Sequence, residues 1–274
     1  MLAPQRQAQI LTDLQSSGGV RVSDLVRKLG VSDMTIRRDL EALARRGLLE
    51  KVHGGATLPV QPVSEEPGFV AKSARELQEK DSIGRAAARL VEPGATVAIS
   101  AGTTTWALAK HLGTVPGLTV VTNSVPVADA LSAAEASDRT VILTGGVRTP
   151  SNGLVGSVAV ASLRSLHVDV VFMGVHGMDE RAGLTTPNLA EADTNRAMIE
   201  SGRRLVVVAD HTKWGTVALA RFAQVDDIDV VVSDRRLPGR AVEVLGEAAE
   251  VVLAGSEDAD AGTSGADGVA EGVS

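Results

Sequence analysis

Four short polar segments carry the residue types for holding an anion: Ser100-Ala101-Gly102-Thr103-Thr104-Thr105, Thr122-Asn123-Ser124, Thr144-Gly145-Gly146-Val147-Arg148 and Ala209-Asp210-His211-Thr212-Lys213. Small residues let the backbone approach a ligand closely, hydroxyls and amides donate hydrogen bonds, and Arg148 and Lys213 add positive charge. The first segment runs straight into a helical pattern, so its amides face the positive end of a helix dipole. Glu191, also near a helix start, accepts hydrogen bonds from hydroxyls and repels an anion. Turn and cap chemistry explains any one of these segments equally well. Four at one end of a single sheet need a further reason.

That common end follows from the elements around them. Apolar runs at Thr96-Ser100, Leu118-Thr122, Thr140-Thr144, Val168-Gly174, Arg204-Ala209 and Asp229-Ser233 read as strands. Amphipathic stretches near 82–91, 104–112, 125–135, 156–165 and 190–201 alternate with them. Continuous apolar strands separated by helices predict a largely parallel sheet covered on both faces, with ligands gathering at the carboxyl ends of its strands. This α/β body is expected over residues 79–255, followed by an acidic tail (256–274) with five acids, no base and no apolar periodicity, which predicts disorder.

A different pattern occupies residues 1–58. Ile10, Leu11 and Leu14 recur at helical spacing up to Ser16-Ser17-Gly18-Gly19. Ser23 is the expected cap of a short helix, Asp24 to Leu29, which Gly30 ends. Ser32 caps a third, Asp33 to Arg46, stopped by Gly47, with Ile36, Leu40 and Leu43 on its inner stripe. Two short helices joined by a tight glycine turn make a helix-turn-helix, and Leu48-Leu49-Glu50-Lys51-Val52 with Gly54-Gly55 adds a wing. On the third helix Met34, Arg38, Glu41 and Arg45 face outward, and Thr35 and Arg37 flank them. An exposed Met34 in the first turn has a purpose where that turn enters a major groove and touches a thymine methyl.

Composition narrows the classes. With no cysteine, disulfide scaffolds, zinc fingers and thiolate chemistry are excluded. The five histidines show no metal-ligand spacing, and the Walker A and G-x-S-x-G patterns are missing, so no metal and no cofactor is expected. Aromatics at 2% argue against base-stacking modules, leaving double-stranded DNA as the nucleic-acid partner. Neither a leader-like N-terminus nor an apolar run of about 18 residues occurs, which predicts a cytoplasmic protein without membrane contact. Residues 1–58 hold nine Lys/Arg against six acids, +3 within a whole-chain charge of −7, which leaves −10 for the remainder. A basic head on an acidic body is the footprint of a DNA-binding unit joined to something else. Pro59, Pro62 and Pro67 mark 59–78 as the linker.

The string Val31-Ser32-Asp33-Met34-Thr35-Ile36-Arg37-Arg38-Asp39-Leu40, with Gly47-Leu48-Leu49 and His53-Gly54-Gly55-Ala56, closely resembles the DeoR family of bacterial transcriptional regulators. The resemblance implies a winged helix-turn-helix. In it Ser32, Thr35, Arg37 and Arg38 belong to the DNA-reading signature, the two arginines for the general grip, and Asp33 and Met34 fill the positions left open for operator-specific contacts. By its residue type and place, His53 at the wing tip is either a phosphate contact or an ordinary exposed turn histidine. From about Glu79 through Asp234 the body resembles the family's effector domain, similar in fold to ribose-5-phosphate isomerase and glucosamine-phosphate deaminase. Ser100, Gly102, Thr103, Thr104, Thr122, Asn123, Ser124, Gly145, Gly146, Arg148, Glu191 and Lys213 are the ligand-binding set, and the ligand implied is a phosphorylated sugar. The family's usual aspartate is here Ser100 and its usual lysine Asn195, which removes charges that acid-base chemistry would use. The expectation is therefore a repressor of a sugar-catabolism operon without catalytic residues, working as a homo-oligomer, dimer or tetramer. The alternative is an active sugar-phosphate isomerase or deaminase fused to a DNA-binding head.

Overall fold

The computed structural model describes residues 2–17, 19–45, 48–57, 68–73, 75–133 and 138–255. The chain divides into two compact units, Met1–Pro62 and Val63–Ser274.

In the smaller unit α1 (Ala3–Ser17), β1 (Gly19–Arg21), α2 (Val22–Leu29) and α3 (Asp33–Arg45) precede β2 (Glu50–Val52) and β3 (Gly55–Thr57). Ile10 and Leu14 of α1, Leu25 of α2, and Ile36, Leu40 and Leu43 of α3 are buried together with Leu49 and Ala56. Each fully buried aliphatic side chain contributes about 1.5–3 kcal/mol. The strands form one antiparallel sheet in the order β1-β3-β2. Ser32 caps α3 as expected, its Oγ accepting from the Thr35 amide at 3.3 Å. Ser23 does not cap α2. That helix begins at Val22 with Arg21 as its unassisted cap, because β1 runs directly into it and the Val22 amide is taken by the Gly54 carbonyl of the wing. The expected stop at Arg46-Gly47 lies outside the described residues.

The larger unit opens with α4 (Phe69–Ser73) and α5 (Leu77–Ala88), followed by β4 (Thr96–Ile99), α6 (Thr103–His111), β5 (Thr119–Thr122), α7 (Val125–Ser132) and β6 (Thr140–Leu143). A hairpin of β7 (Val147–Arg148) and β8 (Leu154–Val155) leads to α8 (Ser157–Arg164) and β9 (Val168–Gly174). A second hairpin, β10 (Gly177–Asp179) and β11 (Gly183–Thr186), precedes α9 (Leu189–Ser201), β12 (Gly202–Val208), β13 (Ala220–Ala223), β14 (Val230–Asp234), α10 (Gly239–Ala248) and β15 (Glu250–Ala254). The expected linker is corrected at its end, since 69–73 and 77–78 are helical and belong to this unit. Residues 58–67 and the tail, 256–274, lie outside the described residues.

Seven parallel strands form the central sheet in the order β15-β14-β12-β9-β4-β5-β6. Successive residues point to opposite faces. Val206 and Val208 join Ile83, Leu108 and Leu131 under α5, α6 and α7, whereas Leu205 and Val207 join Leu163, Met198 and Leu245 under α8, α9 and α10. From β4 the chain winds outward to β6, returns to β9 on the other side of β4, and winds outward again to β15. The carboxyl ends of β4 and β9 are therefore adjacent strand ends from which the chain departs in opposite directions, the place where open α/β sheets hold ligands. Their register pairs Val97 with Val170 and Ile99 with Phe172.

Candidate functional site

A cavity of about 40 Å³ sits at this switch point. Ala101 lines it from the end of β4, and Gly174, Val175 and His176 from the end of β9. Thr186 of β11, Glu191 and Asn195 of α9, Ser151 of the β7–β8 turn and Lys72 of α4 complete its polar wall, and Phe222 of β13 its apolar part. The Thr186 hydroxyl donates to a Glu191 carboxylate oxygen at 2.8 Å, which fixes the carboxylate against the cavity. Asn188 caps α9 through the Glu191 amide, and the buried Asn195 stands one helical turn after the half-buried Glu191 on the same side of the helix. A larger open groove of about 510 Å³ lies between α8 and α9. Its Arg196 is already paired with Asp193 at 2.6 Å and donates to the Arg221 carbonyl. The chemistry gathers in the smaller cavity.

Of the residues expected to bind ligand, Glu191 lines this cavity, and most of the others build it. Ser100 is 1% exposed, and its Oγ accepts the Gly174 amide at 2.9 Å, tying β4 to β9. The Asn123 side chain accepts from the Ala101 amide at 2.8 Å and donates to the Leu154 carbonyl at 3.1 Å, so it braces the loop. Thr122 donates to the Ile99 carbonyl and accepts from the Ser124 amide, while Ser124 caps α7. Gly102 caps α6, and Thr103 and Thr104 are buried in its first turn. Gly145 and Gly146 turn the chain into the β7–β8 hairpin. Gly146 has φ 123°, and a Cβ there would lie 2.6 Å from the Val155 carbonyl oxygen. Arg148 is exposed and grips Asn152 within the same hairpin. Lys213 sits on a 3-10 turn, His211–Lys213, beyond β12, and it too is not among the lining residues.

That turn belongs to a second cluster of ionisable groups. Lys80 of α5, 4% exposed, donates from Nζ to the carbonyls of Lys72 (2.8 Å) and Arg75 (2.5 Å) and lies 4.0 Å from Asp210. Burial lowers its pKa, with Asp210 opposing. Asp210 accepts from the Thr212 amide and hydroxyl. His211 Nδ1 meets Asp234 at 3.1 Å. Burial by itself pushes the His211 imidazole down, but the hydrogen bond and charge of Asp234 outweigh it and its pKa is raised. Burial likewise opposes the ionised Asp234, yet bonds from the His211 ring and amide and from the Arg236 amide win, and its pKa is lowered.

In the smaller unit α3 presents Met34, 61% exposed, beside an exposed Arg38. Arg37 is engaged with Asp33, Nε to Oδ1 at 2.5 Å, so both side chains of this pair must exchange partners to meet DNA. Ser32 and Thr35 share a hydroxyl contact of 2.9 Å at the cap. His53 is exposed at the wing turn. Asp39 stands in the signature string with no role that its type alone reveals. Only 4% exposed, it receives Arg6 at 2.5 Å and Gln7 at 3.1 Å, locking α1 against the helix that carries Met34 and Arg38.

A winged helix-turn-helix joined to a doubly wound α/β unit with a polar crevice at its switch point defines the class of transcription factors that pair a reading head with a sensor. The chain belongs to the DeoR family: the DeoR-like helix-turn-helix domain matches residues 6–61 and the DeoR C terminal sensor domain matches residues 75–235. It is similar to the putative aga operon transcriptional repressor of Escherichia coli O157:H7, 35% identical over 92% of this chain and 94% of that protein. It is also similar to the transcriptional regulator GlpR of Haloferax volcanii (36%, over 93% and 99%) and to the glycerol-3-phosphate regulon repressor of Escherichia coli K12 (33%, over 89% and 96%). Among solved structures, a ribose 5-phosphate isomerase from Methanocaldococcus jannaschii aligns at 15% identity with a TM-score of 0.36, covering 49% of this chain and 53% of that one. The protein is a DNA-binding transcriptional regulator.

Proposed function

We propose that this regulator represses an operon for sugar use and leaves its operator when a phosphorylated sugar occupies the crevice between β4 and β9. The observation that carries this reading is the crevice's composition: a carboxylate held by Thr186, the amide of Asn195 and the Ser151 hydroxyl suit sugar hydroxyls. The buried first turn of α6, Gly102-Thr103-Thr104, sits at the β4 end and suits an anion. The cavity's size supports a sensor. At about 40 Å³ it holds a water or two, far less than the few hundred Å³ of ordinary ligand pockets, so ligand entry moves its walls. Two copies, each setting one α3 in a major groove, give operator recognition its affinity and its repeat spacing. The regulator does not turn its effector over.

The reading is tested with inorganic phosphate, glycerol 3-phosphate, ribose 5-phosphate, fructose 1-phosphate and fructose 6-phosphate, first by thermal shift, then by release from the DNA upstream of the chain's own coding sequence. At least one sugar phosphate raises the melting temperature and releases the DNA, and Glu191→Ala weakens both effects. A panel without binding refutes the reading, and product formation by the wild type favours the isomerase or deaminase instead.

A further inference from the structure

We propose that the open groove between α8 and α9 is the face through which two copies of this chain join, α8 of each copy lying on α9 of the other. This rests on the two-copy reading above and names the surface for it.

The two helices run side by side in the same direction. Helix α8 ends just before β9 and α9 runs directly into β12, and these parallel strands pair Val168 with Gly202 at their starts. Arg164 and Glu200 therefore stand at the same end of the groove, one on each bank. Both are exposed, and among the described residues neither side chain has an ion-pair partner. Asp193 and Arg196, the other charges of the groove, are already paired with each other. Opposite charges left over on opposite banks complement a second copy related by a twofold axis along the groove. Arg164 of one copy meets the partner's Glu200, and its Glu200 meets the partner's Arg164, so one contact is made twice.

The surface between these charges suits a packed helix. Gly156, Ser157, Ala190 and Ala197 are small enough to let a second backbone approach, and Val160 is half-buried among them. Leu189, in the first turn of α9, is 65% exposed and shares its outward line with Asp193, Arg196 and Glu200. A partner that covers the groove takes this leucine out of water, which the hydrophobic effect favours. The effector crevice does not compete for the face. At about 100° per residue, Glu191 and Asn195, which line the crevice, lie on the opposite side of α9 from Ala190, Asp193, Ala197 and Glu200, which line the groove. Helix α9 thus meets the crevice on one side and the partner on the other.

Sedimentation velocity on the full chain across a concentration series, at low ionic strength where surface charges are least screened, tests this with Arg164→Glu and Glu200→Arg. Each variant sets like charges against each other twice in the same interface, so its dissociation constant rises about tenfold or more and it sediments at half the wild-type mass where the wild type is assembled. Both positions are exposed, and both variants keep the wild-type circular dichroism. An equimolar mixture of the two recovers the wild-type mass, because each copy then offers the charge that the other lacks, and the double variant recovers it alone. Wild-type assembly in both single variants, or no recovery in the mixture, overturns the proposal while leaving the two-copy reading intact. A wild type that stays monomeric throughout the series overturns both.

Discussion

Gly84 of α5 lies where that helix crosses α6, and an added methyl there tests whether the crossing sets the position of the α6 first turn. A Cβ at residue 84 would lie 2.7 Å from the Leu108 nitrogen and 2.8 Å from the Ala107 carbonyl carbon, both backbone atoms of α6. Ordinary carbon contacts begin near 3.4 Å, so the helices must part by roughly 0.7 Å, with no flexible side chain to give way. Overpacking of this kind costs about 1–3 kcal/mol, and a backbone obstacle places it near the upper end. Alanine's better helix propensity returns about 1 kcal/mol. The net effect of Gly84→Ala is a loss of about 2 kcal/mol, which lowers the melting temperature by about 4–8 °C for a unit of this size. Because α6 begins at Thr103, the same displacement moves Thr103 and Thr104, and effector affinity falls with stability. Differential scanning calorimetry with and without the bound sugar phosphate reads both quantities. A melting temperature equal to or above wild type would mean that helix propensity outweighs the crossing, and would refute the reasoning.

Arg38→Ala should cost about 1–3 kcal/mol of operator affinity and reduce the salt dependence of binding by about one counterion, because Arg38 is exposed on the face of α3 that carries Met34. Fluorescence anisotropy across a salt series checks both, and an unchanged affinity and slope would remove Arg38 from the interface. Met34→Ala should alter preference among operator variants, and a uniform loss across all sequences would count against base contact. The His211–Asp234 pair predicts a pH signature. The raised imidazole pKa stabilises the fold fully below the ordinary value of about 6.5, and that contribution is lost as pH rises through the raised folded value. Asp234, lowered, contributes above about 3.8 and loses this as pH falls through its folded value. The melting-temperature gap between wild type and His211→Gln is therefore wider at pH 5.5 than at pH 8.5, and a constant gap would contradict the pairing.

The head was legible because its signals are local. Gly30 in the left-handed region and Ser32 at the α3 cap act within a few residues, and the Ile36, Leu40, Leu43 stripe needs only one helix to be seen. Strand β1 escaped because three residues leave no alternation to read, and with it went the true start of α2. The six strands inferred from apolar runs all belong to the central sheet, yet their order depends on pairings between distant residues. The switch point was therefore invisible, and so were His176, Thr186, Asn195 and Ser151 as neighbours. Thr122, Asn123 and Ser124 spend hydrogen bonds on neighbouring backbone, which their types do not show, since a polar residue at a strand end does not reveal whether it faces a ligand or the next loop. Lys72 was hidden in a proline-marked stretch where five helical residues show no periodicity.

The seam between β4 and β9 also has a meaning in time. It pairs Val97 with Val170, so the crevice has no second wall until residues 168–174 have been synthesised, whereas the head's last strand ends at Thr57. At about 5–20 residues per second, a ribosome takes roughly 5–20 s to cover that interval. A nascent chain thus passes through a stage at which the reading head is complete and the sensor's crevice does not exist. A message truncated anywhere in that interval would encode a head without the crevice.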